Sequence, residues 1–219
     1  MDRIPFDPYD FFGYLASGLL VIVGMELLFG VPQVMGRQLG IVSTALLILA
    51  VYVAGQAVAT PAKALLEDGL VDKILKRPSV NLFRERKPPV LWIFFPGYYQ
   101  PLPEPIRKGI LLKAEKHGID APGEALFLHV RYSSECLSDE GLMAKLNSFL
   151  NKYGFARNLA FTSLGVGAAL LCKGTAASDV LMKKYGIIAL AAGVLLFYRY
   201  LKFFRQYSYE MFNTYMGRS

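Results

Sequence analysis

Hydrophobic residues gather in four stretches near the two ends of the chain, while the middle mixes polar and apolar residues as a soluble domain does. The first stretch, Phe11 to Val31, and the second, Leu39 to Ala59, each run 21 residues. At about 1.5 Å per helical residue, such a run is about 31 Å long and matches a hydrocarbon core of about 30 Å. Phe11, Phe12 and Tyr14 open the first run as an interfacial aromatic belt would. A short link, 32–38, joins the two runs and holds Pro32 and Gly36. The second pair is more broken. Asn158 to Cys172 reaches span length when extended through Ala177 with Lys173 snorkelling, and Tyr185 to Tyr198 when extended to Phe204 with Arg199 and Lys202 reaching the interface. Runs this short also suit buried or re-entrant helices, and both readings stay open.

The pattern predicts an all-α membrane protein with two transmembrane helical hairpins flanking a mainly helical cytoplasmic domain. The expected spans are 11–31 and 39–59 within residues 1–59, then 158–177 and 185–204 within 158–204. The cytoplasmic domain is expected over 60–157 and a cytoplasmic helix end over 205–219. Within the domain, Thr60-Pro61 reads as a helix start or as a continuation of the second span, with Leu66, Leu70 and Ile74 along one face. Seven prolines between 78 and 105 exclude a long helix there. Helices are then expected from Glu104 to His117, from Asp120 to about Ser134, and from Ser138 into Asn158 without a loop. The last carries Leu142, Leu146, Phe149, Leu150 and Tyr153 at helical spacing. Arg199 to Met216 continues the last span as a helix rich in Tyr and Phe.

Composition agrees with this partition: 54% of the 219 residues are hydrophobic, and the excess lies in the four stretches. The acidic start, Met1-Asp-Arg-Ile-Pro-Phe-Asp7, and the length of the first run argue for a retained span and against a cleaved signal peptide. Two hairpins would leave both termini and the middle on one side. That side holds 20 of the 24 Lys and Arg residues, and the positive-inside rule assigns it to the cytoplasm. Cys136 and Cys172 fall in different segments, offer no metal spacing and are expected to be reduced thiols.

Few residues carry candidate chemistry. Glu26 is the one acid inside the first two runs, where burying a carboxylate costs about 2.5–3.5 kcal/mol on insertion scales. Ser43, Thr44 or Arg37 are expected to satisfy it. The alternative is a pore or helix-contact role. Small residues four apart, Gly36 and Gly40, Ala50 and Ala54, Ser163 and Gly167, Ala189 and Gly193, suit close helix approach within one chain or between copies. The run Val90 to Tyr99, with Trp92, Phe94, Phe95, Tyr98 and Tyr99, reads as a membrane-interface or partner-docking wedge, or as the core of the domain. Arg84, Arg86 and Lys87, with Arg199, Lys202 and Arg205 near the last span, suit anionic lipid at about 1 kcal/mol each. Nucleic acid would use a similar patch, but 60–157 carries 15 basic against 11 acidic residues, too little for that reading. His117 and His129 lie in different expected helices with no ligand spacing to a Cys or carboxylate. Asp7 and Asp10 read as acids at a helix start. No phosphate loop, nucleophile elbow or zinc motif is present, and no cofactor is expected.

Three stretches, Asp7-Pro-Tyr-Asp-Phe-Phe-Gly-Tyr-Leu-Ala-Ser-Gly18, Tyr153-Gly-Phe-Ala-Arg-Asn-Leu-Ala160 and Tyr198-Arg-Tyr-Leu-Lys-Phe-Phe-Arg-Gln-Tyr-Ser208, together resemble a loose group of bacterial four-span inner-membrane proteins. Some small membrane proteins of this kind accompany phage-defence and CRISPR loci. The resemblance covers about 30 residues and transfers no functional residue. Together with the small-residue spacing, Glu26 and the lack of a catalytic constellation, it gives the expectation of a bacterial inner-membrane protein, non-enzymatic and homo-oligomeric, acting as a membrane effector or sensor. The expected partners are lipid and further copies of the chain. A membrane anchor for a separately encoded cytoplasmic protein is the alternative expectation, and a membrane enzyme the third.

Overall fold

The computed structural model describes residues 8–31, 34, 40–85, 90–138 and 140–217. Every regular element among them is helical. Helices α1 (Pro8–Phe29) and α2 (Ile41–Ala62) lead into a π-helical segment, Lys63–Leu75. Short helices α3 (Pro78–Asn81) and α4 (Leu91–Phe94) follow, then α5 (Glu104–Glu115), α6 (Glu124–Arg131) and α7 (Ser134–Leu137). Two long helices, α8 (Glu140–Ala176) and α9 (Val180–Gly217), close the chain. Four helices, beginning at Phe11, Ile41, Glu140 and Val180, are long and apolar enough to cross a membrane. The chain divides into two compact units, 1–69 with 154–200 and 70–153 with 201–219, and the divisions fall inside the π-helical segment, α8 and α9.

In the first unit, α1 and α2 touch backbone to backbone. A Cβ placed on Gly18 would lie 1.8 Å from the Val51 carbonyl oxygen, and one on Gly55 would lie 1.9 Å from that of Tyr14. Only glycine permits that approach, the device by which helices pack closely in lipid. Tyr52 packs against Phe11 and Tyr14 beside this crossing. Along its length α1 also packs on α8: Gly13 meets Phe155, Gly24 meets Val166, and Lys173 reaches the Leu28 carbonyl. The two helices therefore run in the same sense. The small residues of α8 and α9 serve each other, with Gly167 against Leu190, Gly186 against Leu171 and Gly193 against Leu164. The expected spacings at Ser163–Gly167 and Ala189–Gly193 are thus used within the chain at both glycines.

The second unit has a conventional apolar core of Leu82, Leu102, Ile110, Leu126, Val130 and Leu142 with their neighbours. The aromatic end of α9 is part of it. Tyr207, Met211, Phe212 and Tyr215 are buried there, and Phe83 meets Phe212 edge to face with centroids 5.0 Å apart. This stretch is a core strut of its own unit.

The segment after α2 differs from its sequence expectation. Pro61 sits inside the helix and cannot donate to the preceding turn, and two residues later the winding changes from α to π. The buried positions become Ala62, Leu66, Val71 and Leu75, at steps of four, five and four. The α-helical stripe Leu66, Leu70, Ile74 is not formed: Ile74 is exposed, because an i→i+5 winding carries the inward face one residue farther on. Helix α6 likewise starts at Glu124, after Gly123, and not at Asp120.

Candidate functional site

The least supported apolar surface in the first unit is the start of α2. From Ile41 to Ala50 every residue is exposed except Leu47, which is half-buried. Ile41 is 91% exposed and Val42 73%. The closest approach to α1 comes beyond this stretch, at Val51 and Gly55. Ser43 and Thr44 lie on this bare stretch. The Thr44 hydroxyl donates to the Gly40 carbonyl at 3.1 Å, a common way to satisfy a helical threonine. A Cβ on Gly40 would meet nothing within 4 Å. Gly36 and Arg37 lie outside the described residues.

Glu26 is buried, and neither Ser43 nor Thr44 is its partner in any described hydrogen bond. One carboxylate oxygen accepts the Val34 backbone N–H at 2.9 Å. Between them Gly30 adopts φ +70°, a left-handed conformation that glycine tolerates and that ends α1. The acid thus ties the chain beyond α1 back to its last turns.

The aromatic run 90–99 splits in two. Val90, Ile93 and Phe94 are 63%, 69% and 59% exposed, Trp92 is half-buried and Phe95 half-buried. Tyr98 and Tyr99 are buried at 3% and 2%. Their hydroxyls close the end of the π-helical segment. Tyr98 donates to the Lys76 carbonyl at 2.7 Å and Tyr99 to that of Leu75 at 3.0 Å, while the Asn81 amide donates to both. Carbonyls at a helix end have no internal partner, and buried ones need a donor. Burial pushes the Tyr98 phenol well above its usual range, with the neighbouring Tyr99 and Asp72 adding to the effect. Tyr99 is raised in the same direction by burial. The wedge expectation therefore applies to 90–95, and the core expectation to Tyr98 and Tyr99.

The basic residues are equally divided. Arg84 is half-buried, and its carbonyl accepts from the Arg107 guanidinium at 3.1 Å. Arg86 and Lys87 lie outside the described residues. Arg199 and Lys202 are exposed. Arg205 is half-buried, donates to the Gln100 carbonyl at 2.8 Å and lies over the Tyr209 ring. It is held by its own unit.

The structure also pairs residues that spacing kept apart. His117 and His129, the chain's two histidines, lie with ring centroids 4.8 Å apart and planes tilted by 40°. His129 Nε2 lies 3.1 Å from the Tyr215 hydroxyl, and Lys113 sits 4.4 Å from the centre of the Tyr215 ring. Among the described residues no three His, Cys, Asp or Glu side chains converge as a ligand set. No local pattern announces this cluster, because it depends on the end of α9 folding back among α5 and α6. Comparison with protein-family models, with curated proteins and with solved structures returns no match.

Proposed function

We propose that this chain is a multi-pass protein of the bacterial inner membrane that works without a catalytic step, as a self-associating effector or sensor. In this reading α1–α2 and the apolar parts of α8–α9 are two transmembrane hairpins, and both termini and residues 70–153 lie in the cytoplasm. The observation that carries self-association is the start of α2. An apolar helix bare on nearly all faces belongs in lipid or against another helix. The exposed Ser43 hydroxyl and the open backbone at Gly40 favour a second helix, since small and hydroxyl-bearing residues mark helix contacts in membranes. The sidedness is supported by the 20 of 24 cations on one side. It is also supported by the same-sense packing of α1 and α8, since α1 follows the N-terminus and α8 follows residues 70–153.

Disulfide cross-linking tests this reading. With Cys136 and Cys172 both replaced by Ala, single cysteines at Val42, Leu46 and Leu49 in native membranes are expected to give cross-linked dimers. Monomer at all three positions would overturn self-association through α2. The resemblance to proteins near phage-defence loci makes membrane depolarisation on infection the expected cellular output, and unchanged potential on infection would count against a defence role.

A second reading, a membrane anchor for a separately encoded cytoplasmic protein, is favoured by one feature, the exposed Val90, Ile93 and Phe94. Co-purification of one defined partner, lost in Ile93→Ser/Phe94→Ser, would support it over self-association.

A further inference from the structure

The first unit contains a half-open cleft of about 400 Å³ between α1, α8 and α9. Its walls include Leu20, Val23 and Leu27 of α1, Val166 and Leu170 of α8, and Ala189 of α9. Ser163 and Tyr185 are the two hydroxyl-bearing residues among the lining. The volume lies in the range of small-ligand sites, but a wall this apolar suits hydrocarbon. From Leu20 to Leu27 the cleft follows α1 for about 10 Å at 1.5 Å per residue.

One end of the cleft is marked by charge. On α8 the lining positions 163, 166 and 170 share one helical face, and the next position on that face is Lys173. Lys173 donates to the carbonyl of Leu28, the neighbour of the lining Leu27. An ammonium has three donors, so two remain for a ligand. Tyr185 lines the same end, and Lys183 and Lys184 precede it; among the described residues neither lysine has an ion-pair partner. The nearby acids are engaged by backbone: Asp179 accepts the N–H groups of Leu181 and Met182, and Glu26 that of Val34. These lysines stand at the end that the charge count places away from the cytoplasm, where cations are sparse.

We propose that the cleft holds one acyl chain of an anionic phospholipid, whose phosphate is bound by Lys173 and the Tyr185 hydroxyl in the field of Lys183 and Lys184. This rests on the membrane reading of α1, α8 and α9, but not on self-association. An apolar helix from another copy would cover the walls and leave the donors of Lys173 and Tyr185 unmet. A phospholipid satisfies both.

Native mass spectrometry of the detergent-purified full chain tests the site, with equimolar phosphatidylglycerol and phosphatidylcholine of matched chains as competing probes. The expected result is one retained phosphatidylglycerol, preferred on the order of fivefold per engaged lysine. K173Q should bring the ratio close to that of phosphatidylcholine, and K173R should restore it. A189L, which fills the cleft, should lose retention of both lipids, and glycerol 3-phosphate alone should give no adduct. Equal retention of the two lipids by the wild-type chain, a ratio unmoved by K173Q, or an adduct with glycerol 3-phosphate alone would overturn the proposal. K173Q changes an exposed side chain, so the test survives if A189L does not fold. Release of the protein from membranes by alkaline carbonate would instead signal failure of the membrane reading itself.

Discussion

Arg157 and Glu67, 90 residues apart in sequence, meet at 2.5 Å with each side chain only 12% exposed. The pair joins α8 to the π-helical segment within one unit. Taking both charges from water is costly, and their attraction repays it only while both are present. Arg157→Met or Glu67→Leu alone should therefore cost about 3–5 kcal/mol, and the double substitution should recover most of the loss. Thermal melting of the four proteins in one detergent checks this. Additive losses in the double variant would contradict a coupled pair.

The crossing of α1 and α2 makes a second prediction. A methyl group at Gly18 would strike the Val51 carbonyl, which is backbone and cannot swing aside. Gly18→Ala should destabilise the first unit by at least the 1–3 kcal/mol typical of overpacking, roughly. Gly165→Ala on α8 meets open space and should not lower the melting temperature. Equal effects of the two substitutions would place the helix contact elsewhere.

Tyr98 links stability to alkaline pH. Its phenol is held protonated by burial, so its pKa is higher folded than unfolded. The folded state then holds the proton more tightly. The resulting stabilisation is complete below the unfolded value of about 10 and is lost as pH rises through the interval up to the folded value. Tyr98→Phe should cost about 1 kcal/mol at neutral pH by leaving the Lys76 carbonyl one donor short. It should also make the loss of stability above pH 10 shallower. Denaturant melts at neutral pH and above pH 10 read both effects, and an identical alkaline slope in the variant would refute the assignment.

The split within 90–99 has its own signature. Ile93→Ser and Phe94→Ser change exposed residues and should shift stability by no more than about 0.5 kcal/mol. Tyr99→Ala removes a buried ring and should cost several-fold more, about 3–5 kcal/mol by analogy with other large aromatic truncations. Similar losses at all three positions would mean that the whole run is core.

What could be read in advance follows from how local each cause is. The helices beginning at Phe11 and Ile41 were legible because an unbroken apolar run states its own structure. The entry of α8 into its apolar half without a loop was legible because Leu142, Leu146 and Tyr153 keep helical spacing up to Asn158. The π winding after Pro61 was not, because the same leucines fit an α-helical stripe and only the i→i+5 register brings in Val71 and Leu75. One partner of Glu26 was hidden for a different reason. It is a backbone N–H eight residues on, reached through the left-handed turn at Gly30, and no side-chain pattern encodes it. His117, His129 and Tyr215 meet only because α9 ends inside the second unit, a long-range consequence of packing Phe212 and Met211.

The mass of the purified chain in lipid nanodiscs tests the central claim most directly. Self-association through α2 predicts a defined multiple of 24.3 kDa that falls to one copy in Val42→Arg/Leu46→Arg. A single 24.3 kDa copy in the wild-type protein would contradict it, and would leave the bare face of α2 to lipid.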